Sequence, residues 1–308
     1  MKAIRMHAVG GPEALGLDEI PIPQPQDDEV VVKVRAASVN PIDLKMRSGK
    51  TGLKQDQLPM VLGRDISGTV EICGTRAQLK KGDPVYAMLG GRERGGYAEY
   101  ALVKAVEGAA KPGSLDHVHA AAVPLAALTA WQGLFDHGGL KPGQRVLIQG
   151  GAGGVGHFAV QFAKAKGAFV ATTVSAADID FVQKLHADQV VDYKAERFED
   201  VVRDIDLVLD LIGGETQERS WAVLKDGGTI VSTLAQPSEQ RARERHARGI
   251  NYMARPNAAQ LSEIGRLIDA GKVCPMVQAT FSLSDAAAAQ TKLEREHVQG
   301  KIVLDLAA

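Results

Sequence analysis

The chain has only two cysteines in 308 residues, Cys73 and Cys274. They stand far apart, which excludes a disulfide framework and a cysteine-built metal cluster. An excess of charge of one sign is also missing: 36 basic side chains meet 37 acidic ones, for a formal net charge of −1. A nucleic acid or a membrane surface as main partner would demand a surplus of Lys and Arg, so neither is expected. No apolar run reaches the length of a membrane span, and the N-terminus shows no signal-peptide pattern. A cytoplasmic protein is the expectation. Internal repeats and low-complexity tracts are lacking too.

Apolar residues and glycine, by contrast, are plentiful. Hydrophobic residues make up 45% of the chain, enough for real cores, and 308 residues suit two domains. Glycine, with 33 residues, exceeds its usual share of about 7%. The glycines concentrate in residues 145–167, RVLIQGGAGGVGHFAVQFAKAKG. Val146, Leu147 and Ile148 read as a buried strand. Val155, Phe158, Ala159 and Phe162 then recur at helical spacing, and Gly167 closes the helix. Between them, Gly151-x-Gly153-x-x-Gly156 is a dinucleotide fingerprint in its required context. The first glycine is expected to make the turn, the second to admit a pyrophosphate to the backbone, and the third to let helix and strand pack. The helix N-terminus offers N–H groups and the positive end of its dipole to the phosphates. A ligand-free turn would have no use for five glycines with their backbone entropy.

Upstream, strands are expected over 1–9, 29–36, 61–72, 83–88 and 95–103, with a proline-locked segment at 21–25. The pattern changes near Ala120, where a helix is expected over 121–135 with Pro124 near its first turn. From Arg145, strands at 145–149, 169–174, 189–192, 207–211 and 228–233 alternate with helices at 154–166, 178–186, 196–203 and 215–224. That alternation is a doubly wound parallel sheet. A strand near 250–253 and a helix over 257–270 finish it. A helix at 284–297 and a strand at 301–306 follow, and that last strand is expected to return to the first domain. The charged run 240–248 (QRARERHAR) reads as a solvated surface helix rather than a nucleic-acid patch.

Several motifs now carry a resemblance across the whole chain. They are Ala37-Ser38-Val39-Asn40-Pro41-Ile42-Asp43, the run Leu62-Gly63-Arg64-Asp65-Ile66-Ser67-Gly68-Thr69-Val70, and Gly96-Tyr97-Ala98-Glu99-Tyr100. With them go Pro124 to Ala130 (PLAALTA), the glycine loop, Val190-Val191-Asp192-Tyr193 and Gly300-Lys301-Ile302-Val303-Leu304. The sequence resembles the medium-chain dehydrogenase/reductase superfamily, in its zinc-independent NADPH:quinone oxidoreductase and enone reductase branch. The resemblance implies an α/β protein: a GroES-like β-rich catalytic domain over 1–122, completed by 273–308, plus a doubly wound Rossmann cofactor-binding domain over 123–272, with the cofactor in the cleft between them. The polar segments 49–58 and 92–95 are expected at its mouth.

Zinc alcohol dehydrogenases of the superfamily carry a cysteine where this chain has Val39 or Asn40, and Gly-His-Glu where it has Gly63-Arg64-Asp65. Their four-cysteine lobe is missing as well, and the close pair His117-x-His119 reads as capping or solvent-facing. No metal is expected. The polarising role then falls to hydrogen-bond donors, which suits an acceptor carbon that is already electrophilic. The resemblance supplies the names: hydride transfer from NADPH to a quinone or to the activated C=C of an α,β-unsaturated carbonyl. A non-catalytic NADPH-binding sensor or a crystallin-like protein is the alternative. A homodimer through the edge strand near Ile250 is implied as well.

Cofactor preference rests on the end of the second strand of the nucleotide-binding sheet. An acid there would hold a ribose 2′-hydroxyl; this chain has Thr173 and Ser175, expected donors to a 2′-phosphate, with Asp178 capping the next helix and facing water. By resemblance, Tyr193 reaches the same phosphate. Asn40, Asp43 and Thr129 are implied as catalytic residues near the nicotinamide, Asn40 also as a donor to the substrate carbonyl. Cofactor contacts are expected from Asn40, Thr129, Gly151, Gly153, Gly154, Val155, Gly156, Thr173, Ser175, Tyr193, Ile212, Leu234, Arg255, Gly300 and Lys301. Tyr97, Tyr252, Arg64 and Lys45 are possible proton donors, with Tyr97 read as core and Arg64–Asp65 equally as a structural pair.

Overall fold

Strands come first along the chain, as its β-branched runs predict. The computed structural model describes residues 1–53, 55–91 and 94–307. Of the segments expected at the mouth of the cleft, Lys54, Arg92 and Glu93 lie outside the described residues. Strand β1 (Lys2–Met6) pairs antiparallel with β2 (Leu15–Glu19) and, on its other side, with β4 (Met60–Val61). Between them in sequence, β3 (Glu29–Val39) runs 11 residues, longer than expected, through EVVVKVRAASV. Helix α1 (Pro41–Arg47) follows it directly: Asn40 is extended, Pro41 needs no N–H partner in the first turn, and the Asp43 carboxylate accepts the Asn40 N–H at 2.9 Å.

The single strand expected over 61–72 is interrupted. Gly63 has φ +97, and a Cβ there would lie 2.4 Å from the Tyr97 ring, so the chain turns and restarts as β5 (Asp65–Cys73). β5 pairs with β3, then β6 (Pro84–Met88) with β5 and β8 (Gly108–Ala110) with β6; β7 (Tyr100–Lys104) pairs with β3. Register shifts along β3 bend it to serve these partners. Val32, Val34, Ile66, Val70, Val85 and Leu89 fill the core they enclose.

The helix expected over 121–135 is two. α2 (His117–Ala121) begins at an Asp116 cap, whose carboxylate accepts the His119 N–H. Pro124, which cannot continue a helix inward, opens α3 (Pro124–Trp131), and a π-helical segment, Gln132–His137, extends it.

Six parallel strands then alternate with helices. They are β9 (Arg145–Gln149), β10 (Phe169–Val174), β11 (Gln189–Asp192), β12 (Ile205–Asp210), β13 (Leu224–Ser232) and β14 (Arg248–Asn251). Their order is β11-β10-β9-β12-β13-β14, so the direction of winding reverses beside β9. α4 (Gly156–Ala165), α5 (Ile179–Lys184), α6 (Phe198–Val201), α7 (Gly214–Ser220) and α8 (Glu239–Glu244) connect them. α8 is the expected surface helix: it buries none of its residues. Leu147, Ala171, Val208, Trp221 and Ile230 pack on the sheet. In an open α/β sheet, ligands bind outside the carboxyl ends at such a reversal.

The chain continues through α9 (Ala258–Asp269), β15 (Val277–Ser282), α10 (Ala286–Arg295) and β16 (Lys301–Asp305). β16 pairs antiparallel with β3, which is the expected return, and parallel with β15. The chain divides into two compact units: Met1–Leu125 with Arg255–Gly271 and Pro275–Ala308, and Ala126–Ala254 with Lys272–Cys274. Helix α9, expected to finish the parallel sheet, thus belongs to the first unit. The Tyr86 hydroxyl donates to its Leu261 carbonyl at 2.5 Å, and Asp269 accepts from the Ser114 hydroxyl at 2.7 Å.

Candidate active site

In the second unit the glycine loop joins β9 to α4. The positive φ belongs to Gly150, at +85, so the turn expected of Gly151 is made one residue earlier. A Cβ on Gly151 would lie 2.1 Å from Thr172 Oγ1; its role is to let the loop approach β10. A Cβ on Gly156 would lie 2.1 Å from the Gly150 carbonyl, the packing role expected of it. Gly153 is different. A Cβ there would meet nothing nearer than 3.7 Å. Its lack of a side chain relieves no clash within the protein; it keeps the surface of the loop bare, as a diphosphate cradle requires. Gly154 and Val155 complete the loop, both half-buried, and α4 starts without a side-chain cap.

The hydroxyls at the end of β10 sit differently from expectation. Thr173 is buried, donates to Gln149 Oε1 at 2.7 Å and accepts the Gly150 N–H at 3.2 Å. It braces the glycine loop and has no proton left for a phosphate. Asp178 does not face water. It is fully buried and accepts the Ser175 hydroxyl at 2.6 Å, so Ser175 too is engaged. Tyr193 is 56% exposed, and its N–H donates to the Val174 carbonyl at 3.1 Å.

At the ends of β12 and β13, Ile212 and Leu234 are exposed apolar residues. A residue the sequence reading passed over organises them. Asp210, fully buried, accepts from the N–H groups of Ile212 and Gly213 at 3.1 and 2.8 Å, from Gln217 Nε2 at 2.9 Å and from Ser232 Oγ at 2.8 Å. The signal was an acid closing an apolar strand just before Gly213-Gly214. Thr129 is buried, and its carbonyl accepts the Tyr252 hydroxyl at 2.5 Å. Burial pushes that hydroxyl well above the usual tyrosine range, so Tyr252 is not poised as an acid.

In the first unit, Asn40, Asp43 and Lys301 meet inside rather than at the surface. Asn40 Nδ2 donates to Asp65 Oδ2 at 2.8 Å, and its Oδ1 accepts from Lys301 Nζ at 2.5 Å. Its second Nδ2 hydrogen lies toward Ser38, 3.4 Å away, and the side chain is buried, so in this structure Asn40 ties the interior of the unit together rather than presenting a donor at its surface. Lys301 Nζ also donates to the Val39 carbonyl at 3.0 Å. Gly300, with φ +67, turns the chain into this position; a Cβ there would lie 2.4 Å from the Met276 carbonyl. Asp65, quoted in a motif but not counted as a site residue, is the hub: it also accepts from Ser38 Oγ and the Leu125 N–H, both at 2.7 Å.

Asp43 accepts from the Asn40 N–H and, at 3.0 Å, from Tyr97 Oη, while its Oδ1 has no hydrogen-bond partner. Tyr97 is core, as expected. Burial pushes the Asp43 carboxyl up to about 6 and raises Asp65 as well, against the pull of Lys301; the same burial lowers the Lys301 ammonium. Arg64 bonds the Gly91 carbonyl and forms no ion pair with Asp65. Arg255 is exposed in this unit.

Among the described residues no three His, Cys, Asp or Glu side chains are placed to hold a metal ion. His117 turns to Ser67 Oγ at 2.8 Å and His119 to Asp116 at 2.8 Å. Among them, too, no helix is long and apolar enough to cross a membrane.

Comparison with known proteins agrees with this architecture. A model of the alcohol dehydrogenase GroES-like domain matches residues 26–113, and one described as zinc-binding dehydrogenase matches residues 185–304. The mitochondrial NAD(P)H oxidoreductase RTN4IP1 of Danio rerio is 36% identical, over 91% of this chain and 84% of its own length. The chloroplastic NADPH-dependent alkenal/one oxidoreductase of Arabidopsis thaliana is 35% identical, over 99% and 79%. Those names place the two proteins in organelles, so the cytoplasmic expectation draws no support from them. The quinone oxidoreductase of Coxiella burnetii superposes with a TM-score of 0.93 at 35% identity, covering 99% of each chain. The chain belongs to the medium-chain dehydrogenase/reductase superfamily, in its quinone oxidoreductase branch.

Proposed function

We propose that this protein is an NADPH-dependent reductase of quinones and of the activated C=C bond of α,β-unsaturated carbonyls. The observation that carries the reading is the bare glycine loop, Gly150 to Gly156, opening an uncapped helix at the reversal of a six-stranded parallel sheet. The names of the relatives from Arabidopsis thaliana and Coxiella burnetii supply the substrate classes. Bound NADPH would supply the hydride.

The residues present fit that group. Gly151, Gly153, Gly154, Val155 and Gly156 would hold the diphosphate, and Tyr193 the adenosine end. Ile212 and Leu234 offer apolar surface at the strand ends. Asn40, Asp43, Thr129, Arg255, Gly300 and Lys301 belong to the proposal as residues that shape the reacting end, Asn40 and Lys301 by holding β3 and β16 rather than by donating to substrate. With no cluster of metal ligands among the described residues, the reading assigns polarisation to hydrogen-bond donors, which is sufficient for an acceptor carbon that is already electrophilic. A homodimer is proposed as well, through β14, whose outer side has no strand partner among the described residues.

The test is NADPH oxidation against a para-quinone, an ortho-quinone, a small enal and a cyclic enone, with NADH in parallel. Turnover of at least one of these classes is expected. Tight NADPH binding with no turnover of any of them would overturn the enzyme reading.

A further inference from the structure

The two hydroxyls that would greet a 2′-phosphate at the end of β10 are both turned inward: Thr173 to Gln149, Ser175 to the buried Asp178. A hydroxyl has one proton to give. The neighbouring surface comes from the segment after β11, because the Tyr193 N–H is bonded to the Val174 carbonyl, one residue before Ser175. There an open cavity of about 470 Å³ is lined by Tyr193, Lys194, Glu196, Arg197, Asp200 and Arg219. Its cations are not equivalent. Arg197 and Arg219 both bond Glu199, at 2.7 and 2.6 Å, and the Arg219 bond above all holds that carboxyl down to about 2. Lys194 is exposed and forms no ion pair among the described residues; its Nζ lies 5.8 Å from the centre of the Tyr193 ring.

We propose that Lys194, beside the Tyr193 ring, supplies the positive charge for the 2′-phosphate of NADPH, so that the segment after β11 sets the preference for NADPH over NADH. The proposal rests on the NADPH reading above. A phosphate monoester carries close to two negative charges at neutral pH, and an ammonium on a flexible stem meets such a group as a point charge. Glu196 and Asp200 share the lining, so a site deprived of Lys194 would repel the phosphate rather than merely lose an attraction.

Calorimetric titration of the full chain with adenosine 2′,5′-bisphosphate and with AMP tests this without any turnover. The unaltered protein is expected to prefer the bisphosphate. Lys194→Met should weaken bisphosphate binding about tenfold and leave AMP binding, which also reports an intact fold, unchanged. Lys194→Arg should restore most of the loss, and added salt should erode the preference of the unaltered protein but not of Lys194→Met. Bisphosphate binding retained in Lys194→Met, or lost instead in Arg197→Met, would overturn the assignment to Lys194 alone. An unaltered protein that binds the two ligands equally would overturn the NADPH reading together with it.

Discussion

Asp43 shows what a single buried side chain does to pH dependence. It is fully buried, one of its oxygens has no hydrogen-bond partner, and its folded pKa of about 6 stands above the ordinary 3.8. Between those values the folded chain holds a proton that the unfolded chain has released. Stability from this group is therefore complete below about 4 and is lost as pH rises through about 6. A shift of that size corresponds to roughly 3 kcal/mol. Asp43→Asn, which keeps an acceptor for the Asn40 N–H and Tyr97 Oη, should gain thermal stability relative to the unaltered protein as pH rises from 4 to 7. A difference in Tm that stays flat across that range would show that Asp43 does not titrate there. At this scale the sequence was least legible. Asn40 and Asp43 announced themselves by motif, but their partners Asp65, Tyr97 and Lys301 lie far along the chain, and local spacing says nothing of which side chain closes on which. The same holds for Thr173, whose acceptor Gln149 is on the neighbouring strand.

At the scale of the element, the carboxyl ends of β12 and β13 are tied together by one residue. Asp210 serves two backbone N–H groups, an amide and a hydroxyl, all buried or half-buried. Asp210→Ala would leave the Ile212 and Gly213 N–H groups and the Ser232 hydroxyl without this acceptor, Gln217 keeping only the Ala235 carbonyl, and should lower unfolding free energy by roughly 3 kcal/mol, with Asp210→Asn milder because one acceptor oxygen remains. Urea unfolding measures both, and an unchanged midpoint in the alanine variant would refute the tie. Elements themselves were readable from their short apolar runs at β9, β10 and β11, whose bounds are those expected, although glycine follows directly only at β9. They were misread where tertiary packing intervenes. Tyr97 pressed against Gly63 breaks an expected strand, and the break before Pro124 splits an expected helix although its apolar pattern runs on.

The whole molecule presents β14 as the outermost strand of the parallel sheet. If a second copy covers that edge, sedimentation should return twice the chain mass at micromolar concentration, and Asn251→Pro, which removes an N–H on the side of the strand facing away from β13, should return a single chain mass. A single chain mass for the unaltered protein would end the dimer proposal. The two-part architecture was visible in the switch from strand patterns to strand–helix alternation near Ala120. The allocation of α9 was not, because an amphipathic helix after a parallel sheet reads as one more layer of that sheet until its contacts are known. The pairing of β16 with β3 has a consequence for the order of assembly. On the ribosome, residues 126–254 emerge with all six strands of their sheet and can fold at once. The unit that is synthesised first must wait, because β3 lacks its β16 partner until residues 301–305 are made. The amino-terminal unit is thus the last part to close, and until then the 36–39 stretch of β3 is paired with β5 on one side alone.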